Sequence, residues 1–117
     1  MQFSKFRAML ALAFGGMSGV VKYTLDVFNS QVLGKLTDKE AGARYIKDAQ
    51  AVNALLRAIM ENHSTDLSEK RKESLSKILE AIEELIKALE DFKIEPDELD
   101  AIIEKVKDAI DAFKTAK

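Results

Sequence analysis

The densest group of side chains that could do chemistry is acidic. Asp97, Glu98, Asp100 and Glu104 crowd one short stretch, and four close carboxylates invite a cation. A calcium loop, however, needs a mid-loop glycine and oxygen ligands at alternate positions, and neither is present. Standing directly after Pro96, these acids are better placed to offset the positive end of a helix. Glu80, Glu83 and Glu84 with Lys87 read as a solvated helix face with i,i+4 pairing. A carboxylate-bridged di-iron centre needs Glu-x-x-His on two helices, and His63 is the chain's single histidine. No metal ligand and no cofactor is assigned.

Nucleophilic chemistry has as little to work with. The chain has no cysteine, which removes disulfides, thiolate zinc sites, iron–sulfur clusters and cysteine nucleophiles together. There is no serine elbow, and Gly15, Gly16 and Gly19 lack the lysine and the preceding strand of a phosphate loop. Tyr23 and Tyr45 read as core-edge aromatics with a wet hydroxyl. His63 suits the C-terminal end of a helix, where a cation meets the dipole. Asn62-His63-Ser64 matches a glycosylation tripeptide, which matters only in a secreted eukaryotic chain. Lys70-Arg71-Lys72 is flanked by Glu69 and Glu73, and a net charge of −2 gives no general pull toward nucleic acid. Enzyme or ligand chemistry would need an inward carboxylate, Asp26 or Asp48, in a pocket between helices. The expectation is a protein that is not an enzyme.

The elements behind these side chains are helical. With 117 residues, 47% hydrophobic, 32% charged, one proline and five glycines, the chain suits one helical domain that needs no disulfide or metal for its core. Charge is uneven. Residues 1–36 set four basic side chains against Asp26 alone, a net +3, while residues 64–117 hold ten basic and fifteen acidic side chains, a net −5. That step divides an apolar N-terminal helix pair, 1–63, from an acidic Glu/Lys-rich hairpin, 64–117, within the single domain 1–117.

Punctuation and period give an all-α, up-down four-helix bundle with helices over 3–33, 38–62, 67–92 and 96–115. In the first, Phe14, Val21, Leu25, Phe28 and Val32 share a face, and Gly34 stands where a left-handed C-cap belongs. Thr37-Asp38-Lys39-Glu40 has capping-box spacing for the second, whose inward residues are Tyr45, Ala49, Val52, Leu56 and Ile59. Asp66 with Glu69 is the expected start of the third, with Leu75, Ile78, Ile82, Leu85, Leu89 and Phe92 inward and Leu79 and Ile86 widening the stripe. Pro96 opens the fourth, with Ile94 stapling onto Leu99. Its stripe is Leu99, Ile102, Val106, Ala109 and Phe113.

The first helix is the unusual one. Residues 8–21 carry no charge and follow Lys5 and Arg7, the polarity of a signal peptide, yet no small-x-small site follows the apolar core and Lys22 ends it. The run makes a helix of roughly 21 Å, short of the roughly 30 Å hydrocarbon core of a bilayer. An interfacial helix using Phe3, Phe6 and Met9 with the two cations is the membrane alternative. Ala11, Gly15 and Gly19 at four-residue steps, beside Ala8, Gly16 and Ser18, form a small-residue stripe that admits a second backbone. Three glycines in a helix each cost roughly 1 kcal/mol, so close packing should offset them; otherwise Gly15-Gly16 kinks or breaks the helix. Phe6, Leu10, Ala11, Phe14, Gly15, Met17, Gly19 and Val21 are the expected contact surface. The expected role is contact with other proteins as an adaptor, assembly or structural component. The contact would be self-association through this helix or binding of another helical protein, in the cytoplasm. Membrane association and small-ligand binding are the alternatives.

Overall fold

Helix starts in this chain are fixed by side chains and a proline that deal with backbone N–H groups lacking an intrahelical partner. A computed structural model describes residues 1–36, 42–91 and 93–116. Four α-helices are described: α1, Lys5–Gln31; α2, Ile46–Asn62; α3, Glu69–Glu90; and α4, Pro96–Thr115. Short 3-10 turns, Leu33–Lys35 and Ser64–Asp66, follow α1 and α2. Ser4 caps α1 and Ser68 caps α3, each hydroxyl accepting at 3.2 Å from the backbone N–H three residues on. Pro96 lies in the first turn of α4, as its missing N–H favours. Asp66 is therefore not the cap of α3. It closes the 3-10 turn instead, and burial of Leu67 moves the helix start to Ser68.

The fold is an all-α bundle. One apolar core draws on all four helices, with Leu25, Phe28, Leu56, Leu75, Ile78, Ile82, Leu85, Ile110 and Phe113 fully enclosed. Truncating such a residue to alanine costs about 2–5 kcal/mol. The stripes expected of α2 and α3 face this core, with Tyr45 and Ile86 at its edge. In α4 the inward set is Leu99, Ile103, Val106, Ile110 and Phe113, while Ile102 and Ala109 are only half-buried. The expected stripe was thus one residue out of phase at two steps. The Thr37–Glu40 box and Phe92 lie outside the described residues.

Cross-links fix α3 and α4 as antiparallel neighbours. Arg71 Nε donates to the Ala116 carbonyl at 3.1 Å, its guanidinium 6.0 Å from the Phe113 ring centre. Nearer the middle, Lys105 Nζ donates to Glu84 Oε2 at 2.7 Å. That hydrogen bond and the Glu84 charge raise the Lys105 pKa above its ordinary value. Arg57 pairs with Glu83 between α2 and α3, and Lys114 with Asp26 between α4 and α1. Exposed pairs of this kind are screened by solvent and add little, so the core holds the bundle and the pairs trim it.

The first helix departs from a straight rod. Gly16 has φ 63° and ψ −153°, a region essentially restricted to glycine because a Cβ would clash there. Two helical arms, residues 5–15 and 17–31, meet at this break, and the first folds back along the second. Ser4 N–H donates to the Tyr23 hydroxyl at 3.0 Å, and the Phe3 and Tyr23 rings lie 5.0 Å apart. Val21, Leu25, Phe28 and Val32 remain on the core face, but Phe14, across the break, is 88% exposed. Gly34 is likewise not a left-handed cap, since Gly16 is the one described glycine with positive φ. The chain leaves α1 through the 3-10 turn instead.

Gly15 and Gly19 therefore make different predictions. A Cβ at Gly15 meets nothing, whereas one at Gly19 collides with the Ala11 backbone carbonyl of the other arm. Gly15→Ala is expected to be neutral or stabilising by up to about 1 kcal/mol. Gly19→Ala is expected to release the first arm, read as faster amide exchange over residues 5–15 with the global unfolding midpoint little changed. Equal protection of that arm in both variants would contradict the hairpin.

Candidate interaction surface

The first arm touches the second through its smallest residues. Within residues 5–15 only Ala8 and Ala11 are half-buried, and every other position is exposed. At about 100° per residue, Ser4, Ala8, Ala11 and Gly15 fall on one side of the arm. Opposite them stand Phe6 and Ala13, with Met9 and Leu10 on either shoulder. Lys5 and Leu12 lie along one flank, Arg7 and Phe14 along the other. The outward face is thus apolar at its centre and carries one cation on each side.

Its exposure is large: Phe6 70%, Met9 68%, Leu10 42%, Leu12 46% and Phe14 88%. Five such side chains on one eleven-residue arm exceed the scattered apolar exposure ordinary for a surface, and apolar concentrations of this kind mark interaction sites.

The structure separates the eight residues expected to form a contact surface. Phe6, Leu10 and Phe14 lie on the outward face of the arm. Ala11 and Gly19 face each other between the arms, so the small-residue stripe packs α1 against itself and not against α2 or α4. Gly15 is exposed beside the break. Met17 is half-buried and, with Val20, lines an open apolar groove of about 260 Å³ against Leu55, Ala58 and Ile59 of α2. Val21 is fully buried core. Sequence reasoning missed Tyr23 as the latch of the hairpin. The adjacent Gly15-Gly16 pair was the available signal, and it located the break without the direction of the fold-back.

The chemical alternatives find the following geometry. Asp26 is exposed and paired with Lys114, and Asp48 lies at a half-buried edge, 3.4 Å from the Met1 amino group. A cleft of about 760 Å³ between the arms, lined by Arg7, Tyr23, Asp26 and Gln31 among others, is open to solvent. Asp97, Glu98, Asp100 and Glu104 all face solvent at the start of α4. Among the described residues no three acidic or histidine side chains converge as a metal set. His63 ends α2, with Nδ1 3.4 Å from Asp66 Oδ2.

By length and composition the stretch Lys5–Lys35 is long and apolar enough to cross a membrane. The break at Gly16 divides its helix into arms of roughly 16 Å and 22 Å, both below the roughly 30 Å hydrocarbon core. The longer arm also gives Val21, Leu25 and Phe28 to the bundle core, so using it as a span would empty that core. No protein-family model, no curated protein and no solved structure matches the chain.

Tyr23→Phe removes the acceptor of the Ser4 N–H while keeping the ring against Phe3. It is expected to weaken docking of the arm by about 1 kcal/mol. The readout is a several-fold rise in amide exchange over residues 5–15, with exchange in α3 unaffected. An unchanged arm would mean that the hydroxyl contributes nothing to the hairpin.

Proposed function

We propose that this is a non-enzymatic helical-bundle protein that acts by docking, in an adaptor, assembly or structural role, and that the outward face of the first arm is its docking surface. The observation that carries the reading is the exposure of Phe6, Met9, Leu10, Leu12 and Phe14 on an arm whose other side already rests on the bundle. Burying a side chain of this size is worth about 1.5–3 kcal/mol, so covering this face offers far more than any exposed ion pair on the molecule. The acidic groups weigh the same way. Asp26 and Asp48 are paired at the surface, and the acids of α4 face solvent along its first turns. Catalysis by such groups would need a water-excluded site.

The test is the double variant Phe6→Asp/Phe14→Asp. Wild-type protein is expected to bind an apolar reporter dye or to gain mass with concentration in detergent-free buffer, measured by light scattering. The variant is expected to do neither, with stability within about 0.5 kcal/mol of wild type, as for other surface substitutions. A variant destabilised by several kcal/mol would place these two side chains in the folded core and overturn the reading.

A further inference from the structure

The occupant of that face can be narrowed by its charge, an inference that rests on the arm being the docking surface. We infer that the arm docks onto a membrane surface bearing anionic lipid headgroups, lying in the interface with Phe6, Met9, Leu10 and Phe14 turned into the acyl boundary.

The first argument is where the cations sit. Lys5 and Arg7 flank the apolar face on opposite sides, about 90–100° from its centre at 100° per residue. An interfacial helix has this cross-section, with its apolar face buried about 5–10 Å and basic side chains reaching the headgroups from its flanks. The arm is closed on its fourth side by Ala8 and Ala11 resting on the bundle, so the two faces do not compete.

The second argument is what the face lacks. The first acidic residue of the chain is Asp26, so no carboxylate lies on the arm. In a two-fold pairing of two arms, antiparallel packing sets Lys5 and Arg7 beside the uncharged run of the partner, and parallel packing sets cation against cation. Neither brings an arm carboxylate to the cations, and Arg7 shares the inter-arm cleft with Asp26 while Lys5 does not; an anionic headgroup layer supplies the counter-charge. The outward face points away from the second arm and hence from the rest of the bundle.

The full chain is tested by flotation with phosphatidylcholine vesicles, with and without phosphatidylglycerol, at low and high salt. Three proteins are compared: wild type, Phe6→Ser/Phe14→Ser and Lys5→Ser/Arg7→Ser, each checked for an unchanged unfolding midpoint. Wild type is expected to bind vesicles containing phosphatidylglycerol and to weaken as salt rises. The charge variant is expected to lose about tenfold or more in affinity for them, and the apolar variant to lose binding altogether. Equal binding to neutral vesicles, or binding indifferent to either pair of substitutions, would overturn the inference. Absence of vesicle binding would also overturn it. If light scattering then finds an oligomer that the apolar variant dissolves, the occupant is a second copy and the docking reading stands. If it finds a monomer that binds no apolar dye, both fall.

Discussion

The backbone of Gly16 is the constraint on which the N-terminal third of this protein depends. Its φ of 63° with ψ of −153° is open to a residue without a Cβ and to few others. An alanine-like geometry at that point would continue α1 as a rod of some 27 residues, with Phe14, Val21, Leu25 and Phe28 in one line. Broken there, the chain returns along itself. The stripe of small residues then serves a contact eight residues away in sequence, Ala11 against Gly19, instead of a contact with another helix. Close approach at Gly19 and the Tyr23 hydroxyl together hold what the turn begins.

Residues of the same kind take opposite parts on the two arms. Val21, Leu25 and Phe28 are fully enclosed, whereas Phe6, Met9 and Phe14 stand largely in water. Composition does not distinguish them; position relative to the bundle does. The second arm sets Val21, Leu25 and Phe28 into the core shared with the other helices, while in the first only Ala8 and Ala11 are even half-buried. Stabilisation follows the apolar area removed from water, and an alanine seam removes little. The first arm is consequently held by a few local contacts and belongs to the low end of the local stability range, while α3 and α4, joined through the core, belong to the high end.

How much of this was legible in the sequence depended on whether local residues decided it. The stripes of α2 and α3 were readable because their apolar residues recur at three and four steps with no competing phase. In α4 the phase was ambiguous, because Ile102-Ile103 and Ala109-Ile110 each offer two apolar neighbours. Bulk decided it, the larger Ile110 turning inward and the small Ala109 resting at the edge. The start of α3 was a competition between two competent caps, Asp66 and Ser68, resolved by burial of Leu67. For the first arm, the glycines marked where the helix breaks, but which of its residues face out was beyond local reading. That depends on the fold-back, and the fold-back is fixed by Tyr23 reaching Ser4, nineteen positions away.

The hairpin and the outward face are linked by geometry rather than by contact. Ala8 and Ala11 use one side of the arm to close the hairpin, and Phe6, Met9 and Leu10 occupy the other. A partner on the outward face leaves the alanine seam intact. In a straight α1, by contrast, Phe14 would align with Val21 and Leu25 and turn to the core side of the helix, while Lys5 and Arg7 would extend away from the bundle. The apolar face and its flanking cations are assembled beside the bundle only while Gly16 holds its left-handed turn. Any ligand that prefers that assembled face must, by linkage, also favour the closed hairpin. A glycine with no side chain to contribute is in this sense the residue that determines what the surface presents.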